Sequence, residues 1–254
     1  MVDVLAAHPE SAALLLDFDG SLAPIVVDPA TAAAPAETLA VLELLVERLL
    51  VVGIVSGRPL EFLASAVPLA GVELVGQYGL ERRVDGKTAV DPAALAFRDA
   101  IAKAADEAER RWPDLLVERK GEIALTVHWR AVGAAGESTA ADIEALGAEL
   151  GLEVYPTRMA RELRPPLAVD KGFAVRALLS DAPAATRAVF AGDDRGDLPA
   201  FDALDALEEQ GRLVRAVRIA VLSAEVPADL VERADLVVEG PTGLLDWLRA
   251  LASA

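Results

Sequence analysis

Residues 14–20 read LLLDFDG and residues 192–197 read GDDRGD. Asp17 and Asp19 stand two apart, so both carboxylates point the same way if a strand runs through them, and Gly20 permits a turn directly afterwards. Asp193, Asp194 and Asp197 bring further acids. Carboxylates gathered in one mouth repel one another and require a cation. Oxygen donors with no histidine or cysteine beside them favour a hard ion, magnesium first, which makes Asp17, Asp19, Asp193, Asp194 and Asp197 the candidate metal set. A second constellation is VSGR at 55–58: the Ser56 hydroxyl and Gly57 amide, followed by Arg58, lie between the apolar run VVGIV and the helical pattern PLEFLASAV. A small hydroxyl with amides at a helix N-terminus makes an anion seat, and Lys171, at the head of KGFAVRALL, can supply the compensating charge. Taken singly, each motif reads as readily as a turn or a helix cap; the chemistry rests on the set. Spacing excludes other readings. A calcium loop wants glycine at its sixth position, whereas here it falls at the fourth, and VSGRPL has too few glycines for a nucleotide loop or a dinucleotide fingerprint.

These groups all follow short apolar runs, and in open α/β sheets reactive groups collect at the carboxyl ends of the strands. The runs LLL, LLVVGIVS and VELVG alternate with helical patterns such as PAETLAVLELLVERL, and the same style resumes after residue 170 with a helix in KGFAVRALLSDA, a strand in RAVFAG, a helix in LPAFDALDALEEQG, strands in RIAVLS and DLVVEG, and a closing helix in PTGLLDWLRALAS. This predicts a doubly wound, parallel-sheet, Rossmann-like α/β core. Between the halves the pattern changes. A long helix over DPAALAFRDAIAKAADEAERRW, two strands turning at Lys120–Gly121, a helix over GESTAADIEALGAELG and two more strands in EVYPTRMARELRPP predict an inserted α+β domain. The expected division is 1–88 and 167–254 for the core and 89–166 for the insertion.

The chain of 254 residues is 54% hydrophobic, ample for full cores. Its 41 acids against 24 bases give a net charge of -17, which repels nucleic acid and anionic lipid. It has no cysteine, so no disulfide framework or thiolate zinc site. No run approaches about 18 uninterrupted apolar residues, and MVDVLAAHPESAALLLDFDG has no basic n-region, so neither a leader nor a spanning segment is expected. The expectation is a cytoplasmic monomer acting on a small molecule, with neither nucleic acid nor membrane as partner.

The motifs DFDGS, the serine of VSGR, Lys171 and GDDRGD, in that order, resemble the haloacid dehalogenase superfamily of phosphotransferases. More narrowly, DFDGSLAPIVVDPATA, IVSGRPLEFL, GQYGLE, VERKGEIALTVHWR, ELRPP with VDKGFAVRALL, and AGDDRGDLPAF are similar to the trehalose-6-phosphate phosphatases, over residues 14 to 202. The resemblance implies a magnesium-dependent phosphatase with a core of haloacid dehalogenase type and an inserted cap that carries substrate choice. It implies Asp17 as nucleophile, forming an aspartyl phosphate, and Asp19 as the acid and then base that serves leaving group and water. It implies Asp17, the Asp19 backbone carbonyl and Asp193 as metal ligands, with Asp194 and Asp197 further out, and Ser56, Gly57 and Lys171 as the phosphate seat. Substrate contacts fall to Arg58, Tyr78, Glu118, Lys120, His128, Arg130 and Glu162. By their own local sequence, without the resemblance, Lys120 reads sooner as an exposed turn lysine, Glu118 and Glu162 as a solvated strand face and His128 as a structural residue, while Tyr78 either edges the pocket or packs. The core motifs do not read the sugar, which leaves sucrose-, glucosylglycerol- or mannosylglycerate-type phosphates open, as well as a regulator that binds sugar phosphate without turnover. Two departures stand out: Ser21 where the superfamily has threonine, and glycine and Leu-Pro within GDDRGDLPAF where relatives have threonine and acids.

Overall fold

In the computed structural model, residues 2–26, 28–84, 87–157, 159–223 and 226–254 are described. The chain forms two compact units, Met1–Ala89 with Val169–Ala254, and Val90–Ala168.

The first unit is built on β1 (Ala12–Leu16), β2 (Val51–Val55), β3 (Val72–Gly76), β4 (Glu81–Val84) and β5 (Lys87–Val90). The insertion holds β6 (Leu116–Lys120), β7 (Ala124–His128), β8 (Glu153–Thr157) and β9 (Ala160–Arg164); β10 (Arg187–Gly192), β11 (Arg215–Val221) and β12 (Leu236–Val238) complete the first unit. Its sheet runs β12-β11-β10-β1-β2-β3-β4-β5, and the strands from β12 to β3 are mutually parallel. All five residues of β1 are buried, because the strand has apolar neighbours on both faces. Leu14 and Leu16 pack on one side with the helices Ala36–Val46, Leu60–Ala66 and Gly240–Ser253, while Ala13 and Leu15 pack on the other with Lys171–Asp181 and Leu198–Glu209. The alternation of strand side chains thus explains why consecutive leucines are needed: each full burial contributes roughly 1.5–3 kcal/mol, and neither face is solvated. The chain leaves β1 toward β2 on one side and returns to β10 on the other, so strand order reverses at β1, the place where open sheets leave a crevice.

The sheet is not wholly parallel. β4 pairs with β3 antiparallel, Gly76 opposite Glu81, and β5 extends the edge. A tight turn through Gln77–Gly79 reverses the chain, with Gln77 at φ 48° and Tyr78 at φ 59°.

The second unit is a four-stranded antiparallel sheet in the order β6-β7-β9-β8. The helices Arg98–Arg111 and Ala140–Glu149 cover one face through Ile101, Ala104, Ala108, Ile143 and Leu146 against Leu125, Val127 and Leu163. The long helix expected over residues 91–112 is two. Asp91 caps Pro92–Leu95 by accepting from the Ala93 amide, and Phe97, at φ -99° and ψ 1°, packs against the apolar cluster and interrupts the ladder before Arg98. The helix expected from Gly136 begins at Ala140, after a separate turn over Ala134–Glu137. No helix among the described residues is long and apolar enough to cross a membrane.

Candidate functional site

Beyond the end of β1, the Asp17 amide still donates to the Ala191 carbonyl of β10 at 2.9 Å, so the backbone stays in the sheet while the side chain reaches the rim. Asp17 is 3% exposed. Lys171 Nζ lies 2.6 Å from Asp17 Oδ1 and 2.6 Å from Asp197 Oδ1. The lysine is the first residue of its helix, whose start is fixed by Asp170 accepting from the Phe173 amide at 2.7 Å. Asp197 is wholly buried, and its second oxygen accepts from the Asp193 and Asp194 amides at 2.8 and 3.0 Å. It therefore ties the helix-borne lysine to the loop after β10. Asp194 is exposed and accepts from the Gly196 amide at 2.8 Å.

Asp17, Asp193 and Asp197 each offer an oxygen within 4.8 Å of the others. Three buried carboxylates face one ammonium, and the excess negative charge shows in every group. Burial pushes the Asp17 carboxyl well above its ordinary range, opposed by Lys171 and reinforced by Asp197 and Asp193. Burial and the charges of Asp197 and Asp194 raise Asp193 to about 7, and burial raises Asp197 as well. Burial disfavours the charge on Lys171, yet Asp17 and Asp197 outweigh it and hold the ammonium well above its usual value. Asp193 Oδ1 is buried without a hydrogen-bond partner. Gly20, at φ +82°, leaves room beside it; a Cβ there would fall 2.1 Å from Asp193 Oδ2. An orphaned carboxylate oxygen, carboxyls raised by burial and by the neighbouring acids, and an all-oxygen donor set fit a hard divalent ion beside Asp17 and Asp193. The oxygens of Asp197 already accept from an ammonium and two amides, so its geometry is that of a strut between Lys171 and the loop.

The Asp19 side chain lies outside this cluster. β1 ends at Leu16, and the chain turns at once: the Phe18 carbonyl accepts from Leu22 and Ala23, and the Gly20 amide donates to Ala23. β1 therefore ends before Asp19, so the condition under which strand alternation would give both carboxylates one direction is not met. Asp19 is instead gripped by Arg58, Nε to Oδ2 and Nη2 to Oδ1, both at 2.7 Å. The guanidinium lies 4.5 Å from the Phe62 ring, which meets Phe18 edge-on at 5.8 Å.

Ser56 is buried, and its Oγ accepts from the Arg58 amide at 3.2 Å. The following helix does not present all its amides as an anion seat, because the Leu60 amide donates to buried Glu81 at 2.6 Å. Gly57 is required for a second reason. A Cβ there would fall 2.5 Å from the Tyr78 hydroxyl, whose ring is seated by the left-handed turn and by the Tyr78 amide donating to the Ser56 carbonyl.

Within the second unit, strand register gathers most of the other candidates on the sheet face away from the helices. Glu118 pairs with Thr126, Thr126 with Glu162, and Glu162 with Tyr155, one row across four strands. Lys120 Nζ lies 3.2 Å from Glu162 Oε2, and His128 Nε2 lies 2.8 Å from Glu118 Oε2. Arg130 is exposed beyond the end of β7. Thr126 and Glu81 were not among the residues expected from sequence. Glu81 closes the motif GQYGLE but takes no role from it, while Thr126 is a polar position inside the apolar run IALTV.

A family model described as trehalose-phosphatase matches residues 15–232. The chain is 35% identical over 202 residues to a trehalose-phosphate phosphatase of Mycobacterium marinum, covering 76% of this chain and 51% of that one. It is 30% identical over 197 residues to a trehalose-6-phosphate phosphatase-related protein of Thermoplasma acidophilum, covering 76% and 82%. The chain spans about half the length of the mycobacterial trehalose-phosphate phosphatases it matches. Two solved structures share the fold: a trehalose-6-phosphate phosphatase related protein, with TM-score 0.77, 24% identity and coverage of 95% and 97%, and the C-terminal domain of a C. albicans trehalose-6-phosphate phosphatase, with TM-score 0.78, 22% identity and coverage of 99% and 96%.

Proposed function

Because the chain belongs to the trehalose-phosphatase family, we propose that it hydrolyses trehalose 6-phosphate to trehalose and inorganic phosphate, with Asp17 as the nucleophile. The observation that carries this reading is the buried Asp17 carboxylate at the end of the central strand, fixed by Lys171 at 2.6 Å beside Asp193. An Asp17 oxygen attacks phosphorus as the bond to the sugar oxygen breaks, and Asp19 gives that oxygen its proton. Asp19 then takes a proton from water as the water oxygen attacks phosphorus, freeing Asp17 and releasing phosphate. Ser56 and the Gly57 amide bind phosphate oxygens, and Lys171 adds positive charge.

A carboxylate approaching a phosphate dianion meets a repulsion of about 8 kcal/mol at roughly 4 Å with an effective dielectric near 20. Lys171 offsets part of it. Magnesium, held by Asp17, Asp193 and the Asp19 carbonyl, would offset the remainder and polarise the phosphoryl group when bound. Substrate choice belongs to the second unit, where Glu118, Lys120 and Glu162 suit the hydroxyls of a disaccharide better than a second phosphate.

Phosphate release across a panel of sugar phosphates, with and without chelator, tests the proposal. Trehalose 6-phosphate should be preferred, chelator should abolish turnover, and Asp17→Asn should be inert. Equal rates on every sugar would remove the substrate assignment, and activity in Asp17→Asn would remove the nucleophile.

A further inference from the structure

The row Glu118, Thr126, Glu162 has one member for which neither the fold nor the proposed chemistry has so far supplied a use. Thr126 is 2% exposed and sits at the centre of a strand whose other side chains alternate cleanly: Leu125 and Val127 enter the helix-covered apolar cluster, and Thr126 lies on the opposite face. Its Oγ1 is buried without a hydrogen-bond partner, and so is Oε1 of Glu162, the residue directly across from it on β9. Two cross-strand neighbours, each more than nine-tenths buried, thus each carry a polar atom without a hydrogen-bond partner, on a face where two other carboxylate oxygens are engaged. Glu162 Oε2 takes Lys120, and Glu118 Oε2 takes His128. Native proteins seldom leave such atoms bare, and a pair of them on one face points to a ligand that satisfies both.

The chemistry of the pair is specific. A carboxylate only accepts, whereas a threonine hydroxyl can donate. A phosphate or carboxylate ligand would be repelled by Glu162. A neutral diol is matched: one hydroxyl donates to Glu162 Oε1, and its neighbour accepts from Thr126 Oγ1. Paired strands stand about 4.8 Å apart, which sets the two groups side by side along the row. Valine at this position would present the same shape with no donor.

We propose that Thr126 is a specificity-determining residue that donates its hydroxyl proton to a sugar hydroxyl oxygen beside the one held by Glu162. The inference rests on the sugar-phosphatase reading and adds to it a residue outside the contacts that reading already names.

The test is Thr126→Val with Thr126→Ser as the hydroxyl-retaining control, assayed on the best sugar phosphate of a panel and on an aryl phosphate. Thr126→Val should lower kcat/KM for the sugar phosphate about tenfold, the order expected for one lost hydrogen bond, and leave the aryl phosphate unchanged. Thr126→Ser should retain most of the sugar activity. A second readout needs no turnover. Because the hydroxyl lacks a partner in the free protein, Thr126→Val should melt at the same temperature as the parent or higher. Equal loss on both substrates, or a lowered melting temperature together with an unchanged sugar preference, would show the hydroxyl to be structural and overturn the proposal. A parent with no preference for any sugar phosphate over the aryl ester overturns the functional reading and this inference with it. A parent that keeps its preference when Thr126 becomes valine overturns only the role of the hydroxyl.

Discussion

Arg58 holds Asp19 by a two-point fork, both contacts at 2.7 Å, and the guanidinium itself is steadied against Phe62. A planar fork fixes a carboxylate's orientation in a way a single ammonium cannot. If Asp19 delivers the proton to the leaving oxygen, its orientation matters most when the leaving group is a poor one. Arg58→Lys should therefore slow hydrolysis of a sugar phosphate by about tenfold or more, within the range of general acid catalysis, and slow an aryl phosphate, which leaves unaided, far less. Steady-state rates on the two esters decide it; the same fractional loss on both would mean that Arg58 serves folding or phosphate binding alone.

Among the described residues, Lys171 is the one ammonium facing the buried acids Asp17, Asp193 and Asp197, and Asp197 fastens it to the loop after β10. Replacing it by methionine keeps the bulk and leaves those carboxylates without their cation. Breaking a buried pair of this kind costs about 3–5 kcal/mol, so Lys171→Met should be inactive and markedly less stable to urea when no metal is present. Asp197→Asn keeps the shape and an acceptor; it should lose activity through a displaced lysine while unfolding at a denaturant concentration nearer the parent's. Unfolding curves for both variants, with and without magnesium, check the contrast.

The distribution of legible and hidden features follows from how far apart the interacting residues lie. Leu14, Leu15 and Leu16 announce a strand buried on both faces, and Asp17, Ser56, Lys171 and Asp193 are readable because each follows directly on a short apolar run or opens a helix. The Glu81 carboxylate that caps Leu60, and the antiparallel edge it belongs to, depend on a turn with two non-glycine residues at positive φ, which no local preference predicts. The end of β1 before Asp19 is set by the hydrogen bonds of the Phe18 turn, which spacing does not announce. Thr126 passes unnoticed because one polar residue in a buried strand has no pattern of its own; only the register of β6, β7 and β9 puts it between two glutamates.

The raised acids fix the sign of a pH dependence. Asp193 stands at about 7, chiefly through burial and the neighbouring acids. A carboxyl raised above its unfolded value favours the fold while protonated. That contribution is full below the ordinary value of about 3.9 and is lost as pH rises through about 7. The metal-free protein should thus become less stable between roughly pH 4 and pH 8, whereas a divalent ion replaces the protons and stabilises increasingly with the logarithm of its concentration above Kd. Melting temperatures in chelator and in magnesium should diverge as pH rises from about 5 to 8. Curves that stay parallel would mean that no ion competes with these protons.

Glu162 is 3% exposed and joined to Lys120, while Glu118 is paired with His128 on the same sheet face. Removing either acid should therefore act through the sugar and not through phosphorus. Glu162→Gln keeps the volume but turns half of an acceptor pair into a donor and removes the carboxylate charge 3.2 Å from Lys120 Nζ. Glu118→Ala leaves His128 without its partner. Each change should cost about tenfold to a hundredfold in kcat/KM for the disaccharide phosphate, the range of one or two lost charge-assisted hydrogen bonds, with little effect on an aryl phosphate. The Glu162 change should be the larger, because its carboxylate is the more deeply buried and so the less replaceable by water. Kinetics of both variants on both esters measure this directly, and equal damage to the two substrates would place these glutamates among the supports of the sheet instead of among the contacts to sugar.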